Sequence, residues 1–318
     1  MSVKQELLSL FVSGKCLSGE EIAGKLGVTR AAVWKGVQAL IAEGYPIEST
    51  PGTGYRLAEN DLLFAEKLKP LLPPEIQNVF CFSETDSTNR QAKLYAEEHP
   101  GACALFVADS QTAGRGRRGH TFDSAAGVGI YMSLLLCPTL PPERAIRLTT
   151  SAAVAVCKTV EKLTGAKTQI KWVNDVYLNG KKAVGILTEG AFDLETGAFR
   201  YAVIGIGINV KDREFPAEIA ATATSIEKET GIAPNRAELI AGIVRELTET
   251  PPDSPSLTEE YRKRMFLIGK RVNVLSPAGT YSATVLGVGE NCELTVRDEG
   301  GNVLFLSSGD VSIRPGKS

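Results

Sequence analysis

Apolar residues recur at positions 3, 7, 8, 10 and 11, the spacing of a short amphipathic helix. Ser18-Gly-Glu-Glu21 has the form of a capping box, and Ile22 and Leu26 follow it one helical turn apart. After a turn at Gly27-Val28, Thr29 caps a further helix. Its buried stripe is Val33, Val37, Leu40 and Ile41, and its outer face carries Arg30, Ala31, Lys35 and Gln38. Tyr45 to Leu57 then reads as two strands about Pro51-Gly-Thr-Gly54. Two short helices joined by a tight turn and followed by a hairpin predict a winged helix over residues 1–60, with Thr29, Arg30, Ala31, Lys35 and Gln38 as candidate DNA contacts. A small three-helix protein-interaction module is the alternative.

A helix-like run, Asp61 to Leu68, leads into a Pro-rich linker, Pro70 to Pro74. Strands are predicted at Val79–Phe82, Ala102–Val107, Val128–Leu136 and Tyr201–Ile206, and helices at Pro142–Leu163 and Asn235–Leu247. A further helix carries Ala92, Leu94, Tyr95 and Ala96. Asn179-Gly180 lies between two β-rich runs and predicts a type I′ hairpin pairing Val176–Leu178 with Lys182–Leu187. Helices over a largely antiparallel sheet make residues 61–267 an α+β domain. Leu257–Phe266 reads as one more helix. From Gly269 the period switches to two, giving strands at 271–275, 281–288, 292–298, 303–307 and 311–313, a small barrel over residues 268–318. The fold class is therefore multidomain α+β: winged helix, mixed α/β domain, small β-barrel.

Composition narrows the function. A length of 318 residues suits two or three domains, and 43% hydrophobic with 23% charged residues is ordinary for soluble globular protein. The net charge of −2 gives no global attraction to nucleic acid or membrane. Residues 1–60 hold six Lys or Arg against six acids, so phosphate attraction alone binds DNA weakly and a dimer on two half-sites would compensate. No apolar run approaches a membrane span and the N-terminus lacks signal-peptide regions, which predicts a cytoplasmic protein. Six scattered cysteines read as buried thiols, with neither a disulfide framework nor a structural metal. The only histidines are His99 and His120, which disfavours Ser-His-Asp or Cys-His catalysis.

The candidate chemistry lies in Asp109-Ser-Gln-Thr-Ala-Gly-Arg-Gly-Arg-Arg-Gly119, between two apolar strands. Gly114, Gly116 and Gly119 permit φ > 0 and close approach, while Arg115, Arg117 and Arg118 offer planar donor forks to an anion. A solvated basic loop is the bland reading. Ser87-Thr-Asn89 opens a helix, where capping is the ordinary role. Alternation along the hairpin sets Lys182 and Val184 on one face; among apolar residues the ammonium calls for an anion.

Gln111-Thr-Ala-Gly-Arg-Gly-Arg-Arg-Gly119 resembles the adenylate-binding loop of biotin protein ligases. Ser87-Thr-Asn89, Lys171-Trp-Val-Asn-Asp175 with the hairpin lysine, and Gly205-Ile-Gly-Ile-Asn209 match further motifs of that family. Val28-Thr-Arg-Ala-Ala-Val33 and Pro51-Gly-Thr-Gly-Tyr-Arg-Leu57 resemble the DNA-binding domain of the bifunctional biotin operon repressors, and the tail resembles the SH3-like domain of these ligases. The resemblance implies ATP, biotin and Mg²⁺ as ligands, and catalytic roles for Lys182, Arg115 and Arg117. It places biotin and its adenylate among Ser87, Thr88, Asn89, Gln111, Gly114, Arg115, Gly116, Arg117, Lys182 and Gly185. Asn174, Asp175, Asn209 and Arg314 would serve ATP and Mg²⁺. Implied partners are a biotin carboxyl carrier domain, operator DNA, and a second copy of the chain once adenylate is bound. Val173 departs from the family's usual proline, and His120-Thr-Phe-Asp-Ser-Ala-Ala-Gly127 from its Arg-x-Trp-x-Ser-Pro-x-Gly. A transcription factor that only senses biotin, and a lipoate or other acyl ligase, remain open.

Overall fold

The computed structural model describes residues 2–50, 52–193, 195, 197–276, 279–307 and 312–315. Pro51 of the wing turn, Val311 of the last expected strand, and the side chains of Arg118 and Arg314 lie outside the described residues. The chain divides into two compact units, one running to Leu72 and the other starting at Pro73.

In the first unit, α1 (Val3–Phe11), α2 (Gly19–Leu26) and α3 (Arg30–Ala42) precede the antiparallel hairpin of β1 (Ile47–Thr50) and β2 (Gly54–Leu57), and α4 (Ala65–Leu68) follows. Both capping signals operate. Ser18 Oγ accepts from Glu21 N at 3.1 Å while Glu21 accepts from Ser18 N at 2.7 Å, and Thr29 Oγ1 accepts from Ala32 N at 3.2 Å. Leu7, Phe11, Ile22, Val33, Val37 and Leu40 form the core, which Phe64 joins from just before α4. Ile41 departs from expectation. Positions 33, 37 and 40 already define the buried stripe, and the next residue lies about 100° further round the helix, where it is 39% exposed. Gly54 is required where it stands: φ is 133°, and a Cβ would lie 2.1 Å from the Leu17 carbonyl oxygen against which the wing packs. Thr29, Arg30, Ala31, Lys35 and Gln38 are all exposed, and Trp34 shares their face at 54% exposure.

The second unit contains, in chain order, β3 (Asn78–Thr85), α5 (Thr88–Glu98), β4 (Ala104–Gln111), β5 (Gly129–Leu136), α6 (Ile146–Thr164), β6 (Gln169–Lys171), β7 (Asp175–Leu178), β8 (Lys181–Phe192), β9 (Phe199–Asn209), α7 (Ile226–Thr230), α8 (Arg236–Glu249) and α9 (Pro255–Arg264). Its seven-stranded sheet has the order β3-β4-β5-β9-β8-β7-β6, parallel between β3 and β4 and antiparallel elsewhere. Ala92 and Ala96 of α5 pack on Ala104, Phe106, Leu135 and Val203, which share one face of the sheet. The sequence showed neither β6 nor α7, which span three and five residues and are too short for a periodic signal.

Beyond α9, β10 (Arg271–Ser276), β11 (Gly279–Val288), β12 (Leu294–Asp298), β13 (Val303–Leu306) and β14 (Ser312–Pro315) pair antiparallel in the order β13-β12-β11-β10-β14. Among the described residues this sheet is open, with β13 and β14 as edges, and the expected closure into a barrel is not seen. Trp172 Nε1 donates to the Cys292 carbonyl at 2.9 Å, tying the two sheets. Arg147, 5% exposed, adds donations to the carbonyls of Pro252, Ser254 and Glu290. The cysteines depart from expectation as well. Cys157 and Cys292 are buried, Cys81, Cys103 and Cys137 half-buried, and Cys16 exposed, all as free thiols. Among the described residues no helix is long and apolar enough to cross a membrane.

Candidate active site

One cavity of about 210 Å³ lies on the α5 face of the large sheet. Strand register explains its floor. Asp175, Gly185, Gly207 and Tyr131 lie in one row across β7, β8, β9 and β5, and Leu187, Gly205 and Ser133 in the next. In Gly205-Ile-Gly-Ile-Asn209 the alternation turns both glycines to the cavity and buries Ile206 and Ile208 on the other side. A Cβ on Gly205 would lie 2.1 Å from Asn89 Oδ1, and one on Gly207 2.6 Å from the Phe122 ring. Absent side chains make the trough.

The arginine loop forms its rim. Backbone bonds Gln111 N to Ser124 O (3.1 Å), Phe122 N to Gly114 O (3.0 Å) and Gly116 N to His120 O (2.6 Å) fold it into a narrow hairpin. The expected use of its glycines is corrected: of the three, only Gly119 has positive φ, at 77°. Gly114 serves close approach instead, since a Cβ there would lie 2.5 Å from the Phe122 carbonyl oxygen. Arg115, Gly116 and Arg117 reach the cavity, with Arg117 Nη1 donating to Asn174 Oδ1 at 3.3 Å. Phe122 lies across the glycine row, its ring 6.3 Å from that of Tyr131. Tyr131 OH donates to the Ala125 carbonyl at 2.8 Å, and burial pushes its pKa up to about 12.

The hairpin at Asn179-Gly180 is present, with φ of 46° and 79° at the two turn residues. Its register differs from simple alternation. Tyr177 pairs with Lys182 but Val176 with Val184, so Ala183 is the extra residue of a bulge. Lys182 therefore shares the cavity face with Gly185 and Leu187, not with Val184 as expected. The bulge follows from a second attachment: Lys182 N donates to Thr222 O at 2.8 Å and its carbonyl accepts from Thr224 N at 2.9 Å. Lys182 Nζ forms an ion pair with Asp175 Oδ1 at 2.7 Å. Asn174 is held by donation from its Nδ2 to Ile186 O at 2.9 Å, and the Trp172–Val173 peptide is cis.

Ser87 occupies the N-cap of α5 without a capping bond from its side chain. Thr88 N donates to Gln111 Oε1 at 2.8 Å, and Gln111 Nε2 donates to Ser124 Oγ at 3.0 Å. Asn89 Nδ2 donates to Glu189 Oε2 at 2.8 Å and faces Leu187 O at 3.3 Å. The cavity thus gathers Ser87, Thr88, Asn89, Gln111, Arg115, Gly116, Arg117, Asn174, Asp175, Lys182 and Gly185. Among the described side chains Gly114 stands outside its lining, as does Asn209, whose Nδ2 donates to Thr224 O at 3.1 Å. Arg314 lies on β14.

The sequence pattern of the biotin/lipoate A/B protein ligase family matches residues 79–209, and that of an HTH domain residues 4–56. The bifunctional ligase/repressor BirA of Bacillus subtilis (strain 168) is 38% identical over 250 residues, covering 76% of each chain. That of Escherichia coli (strain K12) is 33% identical, over 77% of this chain and 75% of its own. The chain belongs to the bifunctional biotin ligase/repressor family. A biotin protein ligase from Aquifex aeolicus, solved in complex with biotin and ATP, superposes with a TM-score of 0.64 and 29% identity, over 76% of this ligase/repressor and 100% of that chain.

Sequence reasoning missed several residues that shape the site of this family member. Ser133, fully buried on β5, stands in the otherwise apolar stretch Met132–Leu136, and a hydroxyl there needs a partner. Arg236, 2% exposed at the start of α8, pairs with Asp109 at 2.7 Å and donates to Gly129 O at 2.9 Å, while Asp109 Oδ2 accepts from Gly127 N at 3.0 Å. One guanidinium thus clamps both stems of the arginine loop. No local sequence signal links position 236 to position 109.

Proposed function

We propose that this chain forms biotinyl-5′-adenylate from biotin and ATP, transfers biotin to a lysine of a biotin carboxyl carrier domain, and represses biotin genes through its winged helix with the adenylate as corepressor. The observation that carries the reading is one cavity with polar groups at its floor and Arg115, Arg117 and Lys182 at its rim. Floor residues Ser87, Thr88 and Asn89 suit a neutral ureido ring rich in donors and acceptors. The cationic rim suits a carboxylate beside a phosphate.

In the first step the biotin carboxylate attacks the α-phosphate of ATP and pyrophosphate leaves. Both reactants are anions, so fixed positive charge that lowers their repulsion lowers the barrier. Arg115, Arg117 and Lys182 supply it, and Phe122 limits water over the glycine row. In the second step an acceptor lysine amine attacks the acyl carbon and AMP leaves. No protein nucleophile is needed. Mg²⁺ would neutralise triphosphate charge. Among the described residues no cluster of three or more His, Cys, Asp or Glu that could hold a metal ion exists, but the Asp175 carboxylate, beside Lys182, and Asn174 bring oxygen donors to the cavity that suit a cation carried in mainly by phosphate and water. We read Asn209 and Arg314 as supporting the nucleotide side, and the C-terminal sheet as the SH3-like module of these ligases.

The exposed face of α3 supports DNA binding, and a homodimer formed on adenylate binding would offer two such faces to operator half-sites. The test is incubation with ATP, Mg²⁺, biotin and a carrier domain, then mass measurement of the acceptor, with lipoate as competitor. A gain of one biotinyl group is expected; an unmodified or lipoylated acceptor overturns the reading.

A further inference from the structure

Hydrogen-bond polarity behind the cavity can be assigned proton by proton. Asn89 Nδ2 faces the Leu187 carbonyl and the Glu189 carboxylate, both acceptors only, so the amide nitrogen must point there. Glu189 is itself held by Lys93 Nζ at 2.7 Å, and although half-burial opposes it, bonds from Lys93 and Asn89 keep its pKa below the usual value. Asn89 Oδ1 then faces Ser133 Oγ at 2.6 Å, and only the serine can donate. Ser133 carries a single hydroxyl proton. Its second contact, Thr88 Oγ1 at 2.8 Å, must be made by the threonine proton. Gln111 Oε1, which also accepts from Thr88 N at 2.8 Å, is the longer alternative for this proton at 3.2 Å, and with either acceptor the Thr88 proton points away from the cavity.

We propose that Glu189 and Lys93 are positioning residues which, through Asn89 and Ser133, commit the Thr88 hydroxyl proton inward and leave Thr88 an acceptor toward the cavity, selecting a ligand that donates an N–H. This rests on the assignment of Thr88 to the biotin subsite. Ser133 and Asn89 both reach Thr88's surroundings because position 205 is glycine: any Cβ there would lie 2.1 Å from Asn89 Oδ1. Both Asn89 amide hydrogens are engaged, which makes Asn89 a conductor of polarity and not a donor to the ligand.

The polarity is reversible by substitution. In Glu189→Gln, Lys93 donates only, so it captures the new amide oxygen and turns the amide nitrogen toward Asn89. Asn89 flips at the cost of its contact with Leu187 O, Ser133 accepts from it and donates to Thr88, and the Thr88 proton loses its 2.8 Å inward partner, keeping only the longer Gln111 Oε1 contact at 3.2 Å in competition with the cavity. KM for biotin in biotin-dependent ATP–pyrophosphate exchange is expected to rise about tenfold or more, while KM for ATP changes by less than about twofold. Adding Lys93→Met frees the new amide at position 189 to rotate its oxygen toward Asn89, so the double variant is expected to recover most of the biotin KM although it has lost one more native group. A structural role alone predicts further loss, and thermal melting of all three proteins checks folding. A wild-type biotin KM in Glu189→Gln, equal effects on biotin and ATP, or no recovery in the double variant overturns the relay. If the wild-type protein shows no biotin-dependent exchange, the ligase reading itself fails.

Discussion

Replacing Arg236 by Met tests whether one buried guanidinium holds the arginine loop over the cavity. Its side chain is 3% exposed and that of Asp109 32% exposed. Breaking a fully buried ion pair costs about 3–5 kcal/mol, because the remaining charge is stranded. Asp109 is a third exposed and keeps Gly127 N, so the stranded-charge cost falls to about 2 kcal/mol, with up to about 1 kcal/mol more for the lost bond to Gly129 O. A loss of roughly 2–3 kcal/mol lowers Tm by about 5–10 °C in a unit of this size. Asp109→Asn alone should also destabilise, since Arg236 and Gly127 N donate to different carboxylate oxygens and an asparagine turns its NH2 toward one of them. Combined with Arg236→Met, the asparagine strands no charge and can accept from Gly127 N, so the double variant should recover part of the loss. Urea denaturation of the four proteins gives the coupling energy, expected to exceed about 1 kcal/mol. Additive losses, or Arg236→Met within about 0.5 kcal/mol of wild type, refute the clamp.

Lys182→Ala should lower adenylate formation by about 100-fold or more, read as pyrophosphate release, because a preorganised cation at the reacting anions is lost; a wild-type rate removes Lys182 from the mechanism. Gly205→Ala should cost about 1–3 kcal/mol and raise biotin KM, since its Cβ would meet the pinned Asn89 amide; unchanged stability and KM contradict the packing. Arg30→Ala, Lys35→Ala and Trp34→Ala should weaken operator binding in gel-shift titrations and leave biotin transfer intact; equal damage to both activities argues against separable units. Arg264 donates to Glu260 and Glu161, and the Glu260 carboxyl is lowered from its ordinary value to about 2, first by its bond from Arg264. A depressed folded pKa means that the unfolded chain binds the proton more readily, so this stabilisation is complete above about pH 4.5 and is lost as pH falls toward 2. Arg264→Gln should flatten that acid limb in pH-dependent melting; an unaltered limb assigns the effect elsewhere.

Local order in the chain determined a good deal. The reciprocal Ser18–Glu21 cap, the Thr29 cap and the Asn179-Gly180 turn depend on residues within a few positions of one another, and each forms as its sequence implies. The same holds for the long periodic helices α6 and α8. Ile41, Val184 and the cysteines show where periodicity stops: a helix face has edges, and a single bulge reverses which side of a strand meets the cavity. That bulge exists because Lys182 bonds to Thr222 and Thr224, forty residues on, which no pattern near the turn records. The motifs named the rim and part of the floor. Tertiary structure alone brought Arg236 beneath position 109 and Ser133 beside Thr88 and Asn89, because buried charges and hydroxyls take their partners from whichever strand or helix the packing sets opposite. Sequence thus determined the elements and the reactive groups, while the fold decided which side chains face the cavity and in which direction their protons point.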